Sequence, residues 1–491
     1  MRWRMLGAAF LLASTAAASA QSVDPLGYSV ATPRPISPAE GTTTPSAQAA
    51  QRQNPYLGSV PSKSTGTKIE LTLKGSIERG LRYNLGLIES NQTSADVHGE
   101  RLRALSALLP QLSAEAHQGY DDISYKEIGL KLPPIPGLPA LPSTTSGFGY
   151  QDARVSIAQT LYSAELRNQY RARKSDEQAS MLSVQDSRDV VVYAVGTAYL
   201  QVIARAARVQ TAKAELASAN ELDRQTANRV QSEVSPEIDS IRAQVERQSA
   251  EQRLTNAGNQ LEKDRLTLAR IIGLAVDQEF ELSDQLAYHP LAGITSENAT
   301  EQALRSRADL RSAETSIQAA AFTLRAQKAQ RLPVVSVSAD YGGGGTNVGN
   351  FNQVYTIAGN ISIPIYTGGR IHADIEQAQA DLARRQAEYE DLKGRVAYDV
   401  RVAWLDLTAS DSSVQVAARN QSLAKHALTQ SQDRYTNGVA NYLEVVQAQE
   451  AVTAANENYI ESLFSYDVAM TSLARAIGSA ETRLPEFLEG K

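Results

Sequence analysis

From residue 69 onward, long Ala-rich, charged stretches almost free of Gly and Pro alternate with short stretches rich in Val, Ile, Ser and Gly. In the long stretch beginning near Gly369, apolar residues fall at Ile371, Ile375, Ala378, Leu382, Tyr389, Leu392, Val396, Val400, Ala403 and Leu407. Steps of three, four and seven place them on one stripe of a helix. The pattern predicts a helix running to about Tyr435, roughly 65 residues and on the order of 100 Å long. A helix of that length packs laterally against similar helices in the manner of a coiled coil. The short stretches alternate with period two. Val155, Ile157 and Leu161 are separated by Arg154, Ser156 and Thr160; Val335, Val337, Ala339 and Tyr341 by Ser336, Ser338 and Asp340. Ile357, Ile361, Ile363 and Ile365 are expected to complete the second set. These are strands with one apolar and one polar face.

The two kinds of stretch recur. Leu81-Arg82 matches Leu304-Arg305, and Leu109-Pro110 matches Leu332-Pro333, both at an offset of 223. Leu161-Tyr162 matches Ile365-Tyr366 at 204. Tyr193 to Leu200 matches Tyr398 to Leu405, Arg229 matches Arg434, Ala243-Gln244 matches Ala448-Gln449, and Ala269 to Gly273 matches Ala474 to Gly478, all at 205. An internal duplication follows, each copy reading helix, strand, loop, strand, very long helix, turn, helix. The drop from 223 to 204 assigns 19 extra residues to the first copy, which suit a loop around the Pro-rich run Leu132-Pro133-Pro134-Ile135-Pro136-Gly137.

The start of the chain has another character. Arg2 and Arg4, a short apolar run from Leu6 to Ala13, and Ala18-Ser19-Ala20 before Gln21 read as a signal peptide, residues 1–20, cleaved after Ala20. That run is too short to cross a membrane as a helix, and no later segment offers 18 consecutive apolar residues. Residues 21–68 hold seven Pro among many Ser, Thr and Gln, and read as a mobile leader, dispensable for insertion. No Cys follows the signal to carry a lipid, so an exported chain without a transmembrane helix or lipid anchor is expected.

Composition narrows the chemistry. The 491 residues are 42% hydrophobic and 21% charged with a net charge of -6, which gives no basic footprint for nucleic acid. The absence of Cys excludes disulfides, thiolate nucleophiles and Cys-based zinc sites. His98, His117, His289, His372 and His426 form no HxxxH or HExxH pair, so no metal site is expected. Gly342 to Gly345 lack the Lys-Ser/Thr partner of a phosphate loop and open no helix; an extracellular loop suits them better. No nucleophile, base and oxyanion donor assemble, so neither an enzyme nor a cofactor is expected.

Two readings remain for the strands. They form either a half-buried sheet in a soluble protein or lipid-facing, water-lined barrel strands of about ten residues. Four strands cannot close a barrel, and an open edge in lipid leaves backbone groups unpaired. Strands that span the membrane therefore require several chains, and three chains give twelve strands.

In this order and twice over, the motifs resemble the TolC-type outer-membrane efflux family across about residues 69–478. They are Leu71-Thr72-Leu73 with Leu81 and Asn84; Leu109-Pro110-Gln111-Leu112; Ala303-Leu304 with Arg307 and Asp309-Leu310; Leu332-Pro333; Pro364-Ile365-Tyr366-Thr367-Gly368-Gly369-Arg370; Arg434-Tyr435 with Gly438; Leu443-Glu444-Val445 with Ala448-Gln449; and Leu473 to Gly478. The resemblance implies an α+β membrane protein, mostly α, that works as a homotrimer. A twelve-stranded β-barrel in the outer membrane, four strands per chain, would continue into a long periplasmic α-helical barrel. The repeats would then be residues 69–273 and 297–478, with an equatorial connector at 274–296 and a tail at 479–491. The implied function is a passive exit duct of a tripartite efflux or type I secretion system. Its partners would be a periplasmic adaptor protein, an inner-membrane transporter and outer-membrane lipid. The alternative is a periplasmic coiled-coil structural or adaptor protein that never enters lipid.

The resemblance also points to sites. The hairpin tips Ser232, Val234, Ser235 and Pro236, and Asn437, Gly438, Val439 and Ala440, would dock the adaptor, although turn chemistry alone also accounts for Gly438 and Pro236. In similar proteins acidic rings narrow the pore near the tip, and a Tyr and an Arg on the second hairpin tie it to an acid on the first. Tyr435 matches the tyrosine, Glu237 the partner acid, and Glu444 and Gln447 the ring acids, so one charge is kept. Ala440 stands where the arginine would be. Glu444 reads either as a pore ring or as a solvated helix face.

Overall fold

The computed structural model describes residues 54–64, 66–124, 129, 143–144, 147–284, 286–290, 295–346 and 350–489. The signal peptide, leader residues 21–53 and the Pro-rich run at 132–137 lie outside them. Helix α1 (Leu73–Tyr83) and α2 (Leu85–Ser106) lead into β2 (Gln111–Asp121) and β3 (Phe148–Tyr162). Then come α3 (Ala164–Gln231) and α4 (Glu237–Ile272). The second half repeats the order as α5 (Ser296–Ser306), α6 (Ala308–Ala329), β5 (Val334–Gly345), β6 (Asn352–Ser362), α7 (Arg370–Thr436) and α8 (Tyr442–Ile477). The helices of the first half contain 11, 22, 68 and 36 residues and those of the second 11, 22, 67 and 36. The expected long helix is α7, which starts one residue after Gly369 and ends at Thr436.

Local chemistry explains the boundaries. Ser163 caps α3 by accepting from the Leu166 amide at 3.2 Å. Helices α4 and α8 both end at glycines with left-handed backbone, Gly273 (φ 72°) and Gly478 (φ 75°). Asn84 ends α1 and starts α2, its side chain accepting from the Gly86 amide at 3.0 Å. Arg307, 223 residues later, occupies the same elbow between α5 and α6 without a side-chain cap.

Strands β2, β3, β5 and β6 form one antiparallel sheet in that order. Strand β6 ends at Ser362, so of the four isoleucines expected there only Ile357 and Ile361 are in it. Ile363 and Ile365 lie in the turn that Pro364 imposes before α7, where proline has no amide for a ladder. A second, parallel pair joins β1 (Ile69–Leu71) to β4 (Phe280–Leu282), so residues of the 274–296 connector pair with the start of the first repeat.

Apolar clusters hold the helices together. One unites Leu71, Leu73, Ile77, Val191, Val195, Tyr199, Leu268 and Ile272 with Leu484 of α9 (Ala480–Glu489). Another gathers Leu310, Val396, Val400, Leu463, Tyr466, Met470 and Ile477. A window of α3 reaches a mean hydropathy of 1.5, enough by length and composition for a membrane span, but its Val191, Val192, Val195, Tyr199 and Val202 are buried in the first cluster.

The leader requires correction at its end. Residues 54–64 and 66–68 are a strap across the root of the first hairpin. Pro55–Leu57 forms a 3-10 turn, and main-chain bonds run from Val60 N to Tyr83 O (2.9 Å), Ser62 N to Gly273 O (2.9 Å) and Leu85 N to Gly58 O (3.0 Å). The physical reason is Gly86, which leaves room for the Tyr56 ring. A Cβ there would sit 2.5 Å from it. Gly86→Ala is accordingly expected to lift the strap and cost about 1–3 kcal/mol, read as a lower melting temperature and faster proteolysis near Asn54. Unchanged values for both would mean that the strap contributes nothing.

Candidate functional site

In the four-stranded sheet the register sorts side chains into transverse rows. Leu112, Ile157, Ala339 and Ile357 lie opposite one another across all four strands. The neighbouring row is Ser113, Ser156, Asp340 and Thr356. Successive residues point to opposite faces, so one face is apolar and the other polar. The apolar face is open to its surroundings, with Leu112 at 73% and Ile357 at 74% exposure. On the polar face Arg154 meets Asp152 at 2.7 Å and Asp340 at 3.7 Å. Within the described residues β2 and β6 each have one free edge.

The tips of the two hairpins are built differently. At the first, the Ser232 amide bonds Asn228 O at 3.1 Å and the Val234 amide bonds Arg229 O at 2.9 Å. Glu233 takes the turn's left-handed backbone (φ 56°), rare for a residue with a side chain. Ser235 follows, Pro236 starts α4 without a side-chain cap, and Glu237 is its exposed first residue. At the second tip Gly438 takes the left-handed position (φ 74°). Val439 and Ala440 both donate to Arg434 O, at 2.8 and 3.2 Å, and Asn437 donates to Asp433 O at 3.0 Å. Val234, Val439 and Leu443 are exposed apolar residues at these ends.

Asn441 caps α8 by accepting from the Glu444 amide at 3.0 Å. Glu444 therefore sits in the first turn, where the helix dipole favours an acid. Its carboxylate is 3.5 Å from Arg434. Gln447 is exposed one turn further along.

Within the chain the Tyr435 hydroxyl makes no hydrogen bond to Glu237. Tyr435 is buried, and its hydroxyl has no hydrogen-bond partner among the described residues. Its contact with the first hairpin is Arg229. The guanidinium lies 4.4 Å over the Tyr435 ring, and Nη1 donates to Tyr435 O at 3.0 Å. On the other side Tyr442 meets Tyr435 edge-on at 6.4 Å. Burial, with the charges of Glu246, Tyr435, Asp239 and Asp223, pushes the Tyr442 phenol up to about 12. Leu222, Ala243 and Val445 complete this cluster between the hairpins. Sequence reasoning missed Arg229 and Tyr442. The available signal was the offset of 205, which equates Arg229 with Arg434 but sets Val230 and Glu237 opposite the two tyrosines. Among the described residues no group of His, Asp and Glu is arranged to hold a metal.

Known proteins agree with this architecture. Outer membrane efflux protein BepC of Brucella suis is 24% identical over 329 residues, which cover 66% of this chain and 71% of that protein. Outer membrane protein TolC of Vibrio cholerae is 22% identical over 318 residues, 63% of this chain and 71% of that one. The open state of the Neisseria gonorrhoeae MtrE outer membrane channel superposes with a TM-score of 0.70 at 19% identity, covering 84% of this chain and 90% of that one. Outer membrane protein VceC of Vibrio cholerae gives 0.68 at 19%, covering 83% and 96%. At these identities the structural likeness speaks for the fold. The sequence signature of the outer membrane efflux proteins matches twice, over residues 100–274 and 299–479, and the chain belongs to the outer membrane efflux protein family.

Proposed function

We propose that three copies of this chain close a twelve-stranded barrel in the outer membrane and form the exit duct of a tripartite efflux or type I secretion system. The observation that carries this reading is the open sheet of four strands, apolar on one face and polar on the other, with free edges at β2 and β6. In lipid each unpaired backbone group costs several kcal/mol, so β6 of one copy pairs with β2 of the next. Helix α7 supports it. Its Tyr398, Leu405, Val416 and Leu423 form an exposed apolar stripe along the helix, as a lateral helix neighbour requires. The closely matched helix lengths of the halves and the twofold family match support an internal duplication. A periplasmic coiled coil outside lipid has no use for the alternating rows.

Below the barrel, hairpins α3/α4 and α7/α8 extend into the periplasm, and their exposed Val234 and Val439 offer apolar contacts to an adaptor that joins the duct to an inner-membrane transporter. Three copies of Glu444 surround the threefold axis, with Arg434 offsetting part of the charge. Mass measurement in detergent is expected to give three chains. A stable monomer with full β content would remove the shared barrel. In planar bilayers Glu444→Gln should lower cation preference and Arg434→Gln should raise it. Equal selectivity in both variants and the parent would place Glu444 on the outer face.

A further inference from the structure

We infer that β6 of one copy meets β2 of the next in one fixed register, Asn360 opposite His117 and Ile361 opposite Ala116, and that β6 lengthens to Tyr366 on assembly. The register rests on the shared barrel and the internal duplication proposed above. The offsets of 223 and 204 make β5 the equivalent of β2 and β6 the equivalent of β3. The two strand hairpins test that equivalence residue by residue. Gln111 pairs with Ala158 and Asp121 with Phe148. Their equivalents pair in the same way, Val334 with Ser362 and Gly344 with Asn352. The halves therefore share one register as well as one order of elements.

The junction of the halves inside the chain is then the template for the junction between copies. There β3 lies beside β5, with Ser156 opposite Asp340 and Ile157 opposite Ala339. Shifted forward by 204 on β3 and back by 223 on β5, these pairs become Asn360 with His117 and Ile361 with Ala116 across the seam. The faces agree as well. Ile361 and Ala116 belong to the apolar face of the sheet, Asn360 and His117 to the polar one. A slip of one residue would set each apolar position against a polar one.

The same template accounts for Ile365 and Tyr366, which at 97% and 89% are more exposed than any other large apolar residue described. In the first half Gln159, Thr160 and Tyr162 pair with β5 alone, because the pairing of β2 begins at Ala158. In β6 the residues that follow Ser362 have no such neighbour within the chain. Strand β2 of the next copy supplies it, and Tyr366 comes opposite Leu112. The ladder between β3 and β5 shifts register between Thr160 and Tyr162. Pro364 is the equivalent of Thr160, and a proline without an amide is tolerated at such an irregularity. The link from Ile363 to Tyr366 is thus a length of strand whose partner is another copy.

The chain has no Cys, so engineered pairs report without background. The double variants His117→Cys/Asn360→Cys, Ala116→Cys/Ile361→Cys and Leu112→Cys/Tyr366→Cys are oxidised in outer-membrane fractions and run on non-reducing gels. Successive positions in an antiparallel ladder alternate between wide and narrow pairs, and the narrow one, with Cα atoms about 4.5 Å apart, suits a disulfide. At least one of the first two variants should therefore give covalent dimers and trimers that a reductant returns to single chains. The third should do the same, since β6 lengthens. Variants slipped by two residues in either direction, Glu115→Cys/Asn360→Cys and His117→Cys/Ser362→Cys, should stay as single chains. A slipped variant that cross-links in place of the aligned ones would overturn the register and leave the barrel standing. Aligned variants that all stay single in a protein of three chains by mass would overturn the seam. Failure of the Leu112→Cys/Tyr366→Cys variant alone would overturn the lengthening of β6. A protein of one chain by mass would overturn the shared barrel itself.

Discussion

Ile357→Arg is expected to abolish assembled channels in the outer membrane, while Thr356→Arg, one residue earlier, leaves them intact. The two positions differ in the face they occupy. Ile357 ends the row Leu112, Ile157, Ala339, Ile357 on the exposed apolar face. Thr356 ends the row containing Asp340 on the polar face, where Arg154 already lies near acids. An arginine on the lipid face of a barrel costs about 2–4 kcal/mol near the bilayer midplane. Three copies in a trimer bring the loss to roughly 6–12 kcal/mol, comparable to the whole stability of an ordinary domain. The arginine at position 356 faces water and gains Asp340 across the strand pair. Heat-resistant trimers in the outer-membrane fraction, measured for both variants, decide the matter. Equal amounts of trimer would mean that the apolar face does not meet lipid.

The extent to which the sequence revealed this architecture follows the strength of each physical signal. Period-two alternation put Val155, Ile157, Val335, Val337, Ala339 and Tyr341 on one face, and the sheet register agrees. The stripe from Ile371 to Leu407 located α7 to within a residue or so at each end. Ile371, Ile375, Val396, Val400, Ala403 and Leu407 are buried. These signals are repetitive, so many residues report the same fact. The strap escaped because composition averages over a segment. Seven prolines in 21–68 outweigh one Tyr56, although a single ring over Gly86 is enough to dock the chain there. The β1–β4 pair escaped because strands of three residues carry no periodicity.

At the tips the repeat gave the positions and withheld the partners. Arg229 and Arg434 are equivalent in sequence, and only the packing of the hairpins decides that one stays within its hairpin and the other leaves it. Family likeness assigned the link to Tyr435 and Glu237. In the chain the Arg229 guanidinium lies over the Tyr435 ring and donates to its carbonyl, while residue 440 is alanine.

Raising the pH from 5 to 8 is expected to destabilise the protein, and Asp467→Asn to remove the larger part of that loss. Asp467 lies on α8 at 6% exposure, among the buried residues Leu463, Tyr466, Met470 and Thr471. Among the described residues it has no ion pair; the arginines that pair across the α3–α8 seam do so with other acids, Arg208 with Glu457 and Glu461, and Arg475 with Asp186. Burial alone pushes its carboxyl up to about 7 from 3.8. Below 3.8 folded and unfolded chains both hold the proton and no penalty arises. Between there and about 7 the unfolded chain releases the proton and the folded one keeps it, so each pH unit costs about 1.4 kcal/mol of stability. Above about 7 the carboxylate is charged in both states and the loss levels off. From pH 5 to 8 the change is roughly 3 kcal/mol per chain. Asp176, Asp186 and Asp189 are also raised, each chiefly by burial, so their loss of stability with rising pH begins from the acid side of this range. Asp309, where burial is outweighed by the hydrogen bond and charge of Arg307, is lowered, so it is ionised in both states across this range and its contribution changes only at more acid pH. Asp467→Asn keeps the shape and removes the ionisation, so it isolates one contribution from the rest. Its melting temperature should exceed the parent's at pH 8 and approach it at pH 5. A variant whose melting temperature falls with pH as steeply as the parent's would show that Asp467 stays ionised, and solvated, in the folded chain.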